Sequence, residues 1–266
     1  MDLFSISAVV ASCAYFIGAA TVVTRLFHTK GPNLLLILSF AGIAILAHMV
    51  SSNQLIFQQS SVNFALPNVI SLVSLAICLT VSALALRYKI NLLLPVTYCF
   101  AGLWQIAMLF IPHQNQALLV DVQPILFSHI TLALIAYCVL VIANLYAFQV
   151  AYINWKLKSK NLQAVNHLPP LMQVEGHLFI ILAIGTLCLF ISQMLGIVFI
   201  DDFIRKDNAH KTVLSLISLA FYSWILWGHY KKGWRGHKVL VLIIIATTLL
   251  TLAYFGSRFV KEFLLY

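Results

Sequence analysis

Inside its long apolar stretches this chain carries almost no formal charge, so its nine histidines are the side chains best equipped for chemistry there. Four of them, His48, His129, His177 and His229, fall within or at the ends of those stretches. A neutral imidazole nitrogen is a strong ligand for haem iron and for zinc. A lone histidine in an apolar helix more often hydrogen-bonds a neighbouring helix, so histidines paired in depth carry more weight than single ones. His28, His167 and His237 sit among basic loop residues and read as solvated, as do His113 and His210 in loops on the other side.

Other ligand types are scarce. The apolar stretches hold no Asp or Glu, whose oxygens hard cations require, so a conduction path for magnesium or calcium is poorly supplied. Cys13, Cys78, Cys99, Cys138 and Cys188 all lie inside apolar runs, form no CxxC pair and read as buried small residues. A CxxCH haem-attachment sequence is absent. No catalytic residue stands out, and the chain does not read as an enzyme.

What positions these histidines follows from composition. The chain has 266 residues, 62% hydrophobic and 9% charged, against roughly 25% charged in a soluble domain. It is an all-α, polytopic integral membrane protein by composition, and its net charge of +9 needs no nucleic acid to explain it. Eight transmembrane helices are expected at about 3–24, 33–52, 67–86, 90–111, 125–155, 177–200, 212–230 and 239–257, forming one eight-helix bundle and one domain over 1–266. The first run lacks a cationic n-region and reads as an uncleaved helix.

Alternating the loops places Arg25, Lys30, Arg87, Lys89, Lys156, Lys158, Lys160, Lys231, Lys232, Arg235 and Lys238 on one side, 11 of the 16 cations. Arg205, Lys206, Lys211, Arg258 and Lys261 lie on the other. The positive-inside rule makes the first side cytoplasmic and both termini periplasmic. On this topology His48 and His129 share the outer leaflet, and His177 and His229 the inner one. The last two helices meet at Trp227-Gly-His-Tyr-Lys-Lys-Gly-Trp-Arg-Gly236, where indoles and cations suit the headgroup layer.

Four segments carry a resemblance. Ser128-His-Ile-Thr-Leu-Ala-Leu-Ile-Ala-Tyr137 resembles a His-x7-Tyr helix, and Trp227–Gly236 a turn where a membrane-embedded histidine precedes Gly-Trp-x-Gly. Leu252-Ala-Tyr-Phe-Gly256 resembles a Thr-Tyr-Phe-Gly-like last helix, and Leu168-Pro-Pro-Leu-Met-Gln-Val-Glu175 the connection before the sixth. Together they are similar to the cytochrome c assembly family of haem-handling membrane proteins (CcsA, CcmC and HemX relatives), most closely its YpjD branch. The resemblance implies a bacterial inner-membrane protein that binds non-covalent b-type haem and assists cytochrome c or haem-protein biogenesis. It implies His129 and His229 as iron ligands, with His48 and His177 as their partners by depth. The implied partners are the bilayer, haem, and other cytochrome c assembly or haem-biosynthesis proteins.

The sequence departs from that family in three places. The family's tryptophan-rich outer loop falls at Asp201–Lys211, which has no tryptophan. Its second outward histidine would fall near Phe263–Tyr266, where there is none. His229 also stands two residues nearer Gly233-Trp234 than in CcsA-type chains. These departures tell against haem export and cytochrome c ligation by this chain alone. A transporter or accessory protein for divalent cations, or a HemX-like regulator of haem synthesis, are the alternatives.

Overall fold

A computed structural model describes residues 2–25, 31–58, 61–88, 90–111, 118–119, 124–159, 169–199, 209–256 and 259. His28, His113, His167, residues 201–208 and residues 263–266 lie outside the described residues. The helices are α1 (Leu3–Arg25), α2 (Leu34–Ile56), α3 (Leu66–Ala85), α4 (Leu93–Met108), α5 (Pro124–Lys158), α6 (Leu171–Phe199), α7 (Ala209–Lys232) and α8 (His237–Thr251). A π-helical turn, Leu252–Gly256, continues α8. Among the described residues seven helices, counting α8 with its π turn, are long and apolar enough to cross a membrane, and α4 is shorter. Leu35 and Leu46 of α2 are 81% and 66% exposed, and side chains of that kind on a helical surface call for hydrocarbon rather than water.

The expected eight-span count therefore meets eight helices, of which seven have spanning length. The sixteen residues of α4 rise about 24 Å against a hydrocarbon core of about 30 Å. Pro95 sits in its first turn, where a missing N–H costs nothing. Its far end tightens through Leu109 N–H to Ile106 O (3.0 Å) and Phe110 N–H to Ala107 O (3.0 Å).

The described residues fall into two compact units, α1–α4 and α5–α8. In the first, each helix packs against the next and α1 packs against α4. Small residues allow the close α1–α4 approach: the Ser12 hydroxyl donates to Gly102 O (3.1 Å), and a Cβ on Gly18 would lie 3.5 Å from the Tyr98 ring. The loops of this unit add a small antiparallel sheet, β1 (Phe57–Gln58), β2 (Ser61–Asn63) and β3 (Leu118–Leu119), with Val62 opposite both Phe57 and Leu119.

In the second unit the same closed pattern holds: α5 packs on α6, α6 on α7, α7 on α8, and α8 on α5. Gly185 sits where α6 meets α5, since a Cβ there would fall 2.8 Å from Leu140 Cγ.

Several boundaries differ from the sequence expectation: α4 runs Leu93–Met108 instead of 90–111, α7 begins at Ala209 and takes in His210, α8 begins at His237, and two further boundaries move a candidate histidine. The second helix runs to Ile56 instead of 52, because Ser51 and Ser52 are buried polar residues of the unit and not the start of a loop. His48 thus lies eight residues from the helix end. The sixth helix starts at Leu171, directly after Pro169-Pro170, and buries Val174 in its first turn. His177 is therefore inside α6 and does not begin it.

Candidate functional site

The turn between α7 and α8 is built from three glycines and a tryptophan. At Gly233, φ is +65°, the left-handed residue that ends α7, and its N–H donates to His229 O (3.0 Å). Trp234 N–H then donates to Gly228 O (3.1 Å), folding the chain back over the helix end. The Trp234 indole lies directly on Gly228, in space that any Cβ would fill. Gly236, also at φ +65°, precedes α8 beside Asn154. This return brings the Trp234 carbonyl to the His229 ring, whose Nδ1 lies 3.0 Å from it. A carbonyl oxygen only accepts, so Nδ1 carries the proton and Nε2 keeps its lone pair. Phe179 of α6 stacks on the imidazole, with ring centroids 3.3 Å apart at 14°.

Cations frame the same turn. Lys238 lies over the Trp234 ring (3.6 Å to the centroid) and Lys232 over Trp227 (4.7 Å). Arg235 Nε is 3.7 Å from Glu175 Oε1 on α6. Arg235 is 60% exposed, so the pair contributes little to stability, on the order of 1 kcal/mol at most.

His129, in the second turn of α5, shows the same device on another helix. Its Nδ1 donates to Ser192 O of α6 at 2.8 Å. The Ser192 hydroxyl, itself fully buried, donates to His129 O (3.2 Å), so residue 192 holds the histidine from both sides. Again Nδ1 carries the proton and Nε2 the lone pair. Metal-bound histidines characteristically have this arrangement, with the second ring nitrogen donating to a carbonyl that fixes tautomer and orientation.

Residues 179 and 192 are 13 apart on α6, which sets the His229 and His129 layers roughly 20 Å apart along that helix. They do not share one ligand. His177 meets Tyr146 of α5 edge-on, with centroids 6.3 Å apart. Residues 177 and 179 point about 200° apart around the helix, so His177 and the His229–Phe179 stack lie on different sides of α6.

His48 belongs to the other unit and is fully buried. Its Nδ1 pairs with Tyr15 OH (3.2 Å) and its Nε2 with Ser71 Oγ (3.0 Å). Ser71 also meets Ser52 Oγ (3.1 Å) and Gln105 Nε2 (3.1 Å), and Ser51 donates to Gln105 Oε1 (3.0 Å). Both ring nitrogens are thus engaged, and ligation by His48 would break a hydrogen bond inside a buried network.

Sequence reasoning passed over three further groups of the second unit. Gln193 Oε1, Gln149 Oε1 and Nε2, and the Tyr254 hydroxyl are buried atoms without a hydrogen-bond partner among the described residues. The available signal was the polar side chain inside an apolar span. Among the described residues no three His, Cys, Asp or Glu gather, whereas a closed zinc site takes four such ligands. Two separate imidazoles with fixed tautomers fit haem iron better, because haem needs only axial ligands from the protein.

The family model for cytochrome c assembly proteins matches residues 35–265. Inner membrane protein YpjD of Escherichia coli K12 is 36% identical over 264 residues, covering 98% of this chain and 99% of that protein, and the YpjD of Escherichia coli O157:H7 matches to the same extent. An uncharacterized 28.8 kDa protein from Azospirillum brasilense is 31% identical over 142 residues, about half of each chain. No solved structure matches. A whole-length relative and a family match spanning nearly all the helices lead to one conclusion: the chain belongs to the cytochrome c assembly protein family.

Proposed function

We propose that this chain is an inner-membrane haem-binding protein that assists cytochrome c or haem-protein assembly, with His129 and His229 as iron ligands in two separate sites. One shared feature supports this: each imidazole has Nδ1 held by a backbone carbonyl, which sets the tautomer in which Nε2 carries the ligating lone pair. His229 is further oriented by the Phe179 stack, which covers one face of the ring and keeps it from rotating. With both termini periplasmic, the orientation that the cation asymmetry supports, His129 lies toward the outer face and His229 toward the inner one. His177 contributes to the inner half of the unit through Tyr146, and His48 to the polar core of the other unit. Bound there, haem would supply an iron centre able to exchange axial ligands. The chain's own part is to hold each imidazole in one tautomer and to keep water away from it.

The test is the optical spectrum of protein purified from haem-replete cells. His129→Ala and His229→Ala each lower the haem content or shift the Soret band, and His28→Ala and His237→Ala do neither. A wild-type protein without haem, or four variants with the wild-type spectrum, would refute the proposal.

A further inference from the structure

One layer of the second unit crosses all four of its helices. His129 bonds Ser192, and the next residue, Gln193, donates through Nε2 to Ser215 Oγ of α7 (2.9 Å). On α8, Thr247 meets the Tyr222 hydroxyl of α7 (2.9 Å). From Thr247 to Tyr254 is seven residues, about 10 Å along α8. The same step along antiparallel α7, from Tyr222 back toward its start, arrives at Ser215. The short contact of the Ser218 hydroxyl with Ala246 O (2.8 Å) sets the Tyr254 backbone about one turn further out, so it is the tyrosine side chain, directed back toward the start of α8, that comes to the level of Gln193 and Ser215. Tyr254 stands on the π turn, and its ring packs against Tyr137 of α5 (centroids 5.8 Å apart), which also meets Phe255 (5.2 Å). Such turns are frequent at functional sites.

Two atoms of this layer are buried and unpartnered. The Gln193 amide has its nitrogen committed to Ser215, so its oxygen is an acceptor with a fixed direction, on a residue 2% exposed. The Tyr254 hydroxyl offers a donor that no described residue takes up. An unpaired carboxamide oxygen and an unpaired phenol in an apolar layer each cost free energy unless something bonds them. Together they ask for a group with one O–H and one acceptor oxygen. An ionised carboxylate fails, because Gln193 Oε1 needs a donor. A neutral carboxylic acid has both, and burial in an apolar layer favours that form. Lys211, one turn outward on α7, is the nearest cation along that helix, and the four residues of the layer carry no formal charge.

We propose that Gln193 and Tyr254 bind one propionic acid group, in its protonated form, of the haem held by His129. This rests on the haem reading above and adds a recognition element to it. The tyrosine and phenylalanine rings of the π turn supply apolar cover for the ligand edge, a role that the loop at Asp201–Lys211 lacks the tryptophans to fill.

The experiment uses the full chain carrying His229→Ala, so that the outer site alone is read, freed of haem and titrated with haem or with haem dimethyl ester. The ester can accept from Tyr254 but cannot donate to Gln193. The acid takes its proton from solvent, a cost that is the same in every variant at one pH, so the hydrogen bond is read from the variants. We expect Gln193→Leu to weaken haem binding about threefold to tenfold, the worth of one hydrogen bond between neutral groups. The same substitution leaves ester affinity and the Soret maximum in place. Tyr254→Phe weakens both ligands equally, and its retained Soret maximum shows that the fold and His129 ligation survive. Undiminished haem affinity in Gln193→Leu, or an equal loss for the ester, would overturn the proposal while leaving haem ligation standing. Absence of any haem binding would remove both.

Discussion

The His229 turn makes one quantitative demand on the sequence, at Gly228. A Cβ there would enter the Trp234 indole, which is held by its own backbone bond to Gly228 O and cannot slide away without opening the turn. Gly228→Ala therefore forces overpacking, typically about 1–3 kcal/mol. Moving the indole also shifts the Trp234 carbonyl away from His229 Nδ1, forfeiting a hydrogen bond of about 0.5–1.5 kcal/mol. The expected destabilisation is about 2–4 kcal/mol, on the order of 10 °C in the unfolding midpoint in mild detergent. Gly176→Ala is the matched control: nothing lies within 4 Å of its Cβ, and its helical backbone suits alanine, so it should be neutral or slightly stabilising. A second cycle adds Trp234→Leu, which should recover part of the loss only in the Gly228→Ala background. The assay pairs thermal unfolding with the optical spectrum, because the altered carbonyl must also disturb His229. A Gly228→Ala protein with wild-type midpoint and wild-type spectrum would show that Trp234 does not fix the imidazole.

Other expectations concern topology, the first unit and maturation. Lys232→Cys should be shielded from an impermeant outside reagent and Asp207→Cys exposed to it; the reverse labelling would invert the assignment of every histidine to its leaflet. His48→Phe takes the imidazole partner from the buried Tyr15 hydroxyl, costing about 1–3 kcal/mol, while Ser71 keeps Ser52 and Gln105. It should lower the unfolding midpoint and spare the Soret band, and a shifted band would make His48 a ligand after all. Expressed in a strain without other maturation systems, the chain should yield no covalent cytochrome c. Holocytochrome appearing there would show that a tryptophan-rich outer loop is dispensable.

Several features were legible in the sequence because they depend on local chemistry. Apolar run length fixed the membrane class and the approximate place of each helix, since every backbone amide in hydrocarbon must be satisfied within its own helix. The spacing Gly228-His229 and Gly233-Trp234 specified the turn, because only glycine enters φ +65° cheaply and only a missing Cβ admits the indole. What tertiary structure decided was which polar group meets which. These helices are apolar nearly all round, facing lipid on one side and other helices on the other, so they show no periodic stripe that marks an inward face. Ser51 and Ser52 therefore read as the start of a loop, although they point into the His48 network. His177 and His229 read as partners by depth, although rotation about α6 turns His177 toward Tyr146 and away from the Phe179–His229 stack. Depth along a helix is counted in residues and can be read from a sequence; the direction a side chain faces in a uniformly apolar span is set by the neighbours that pack against it.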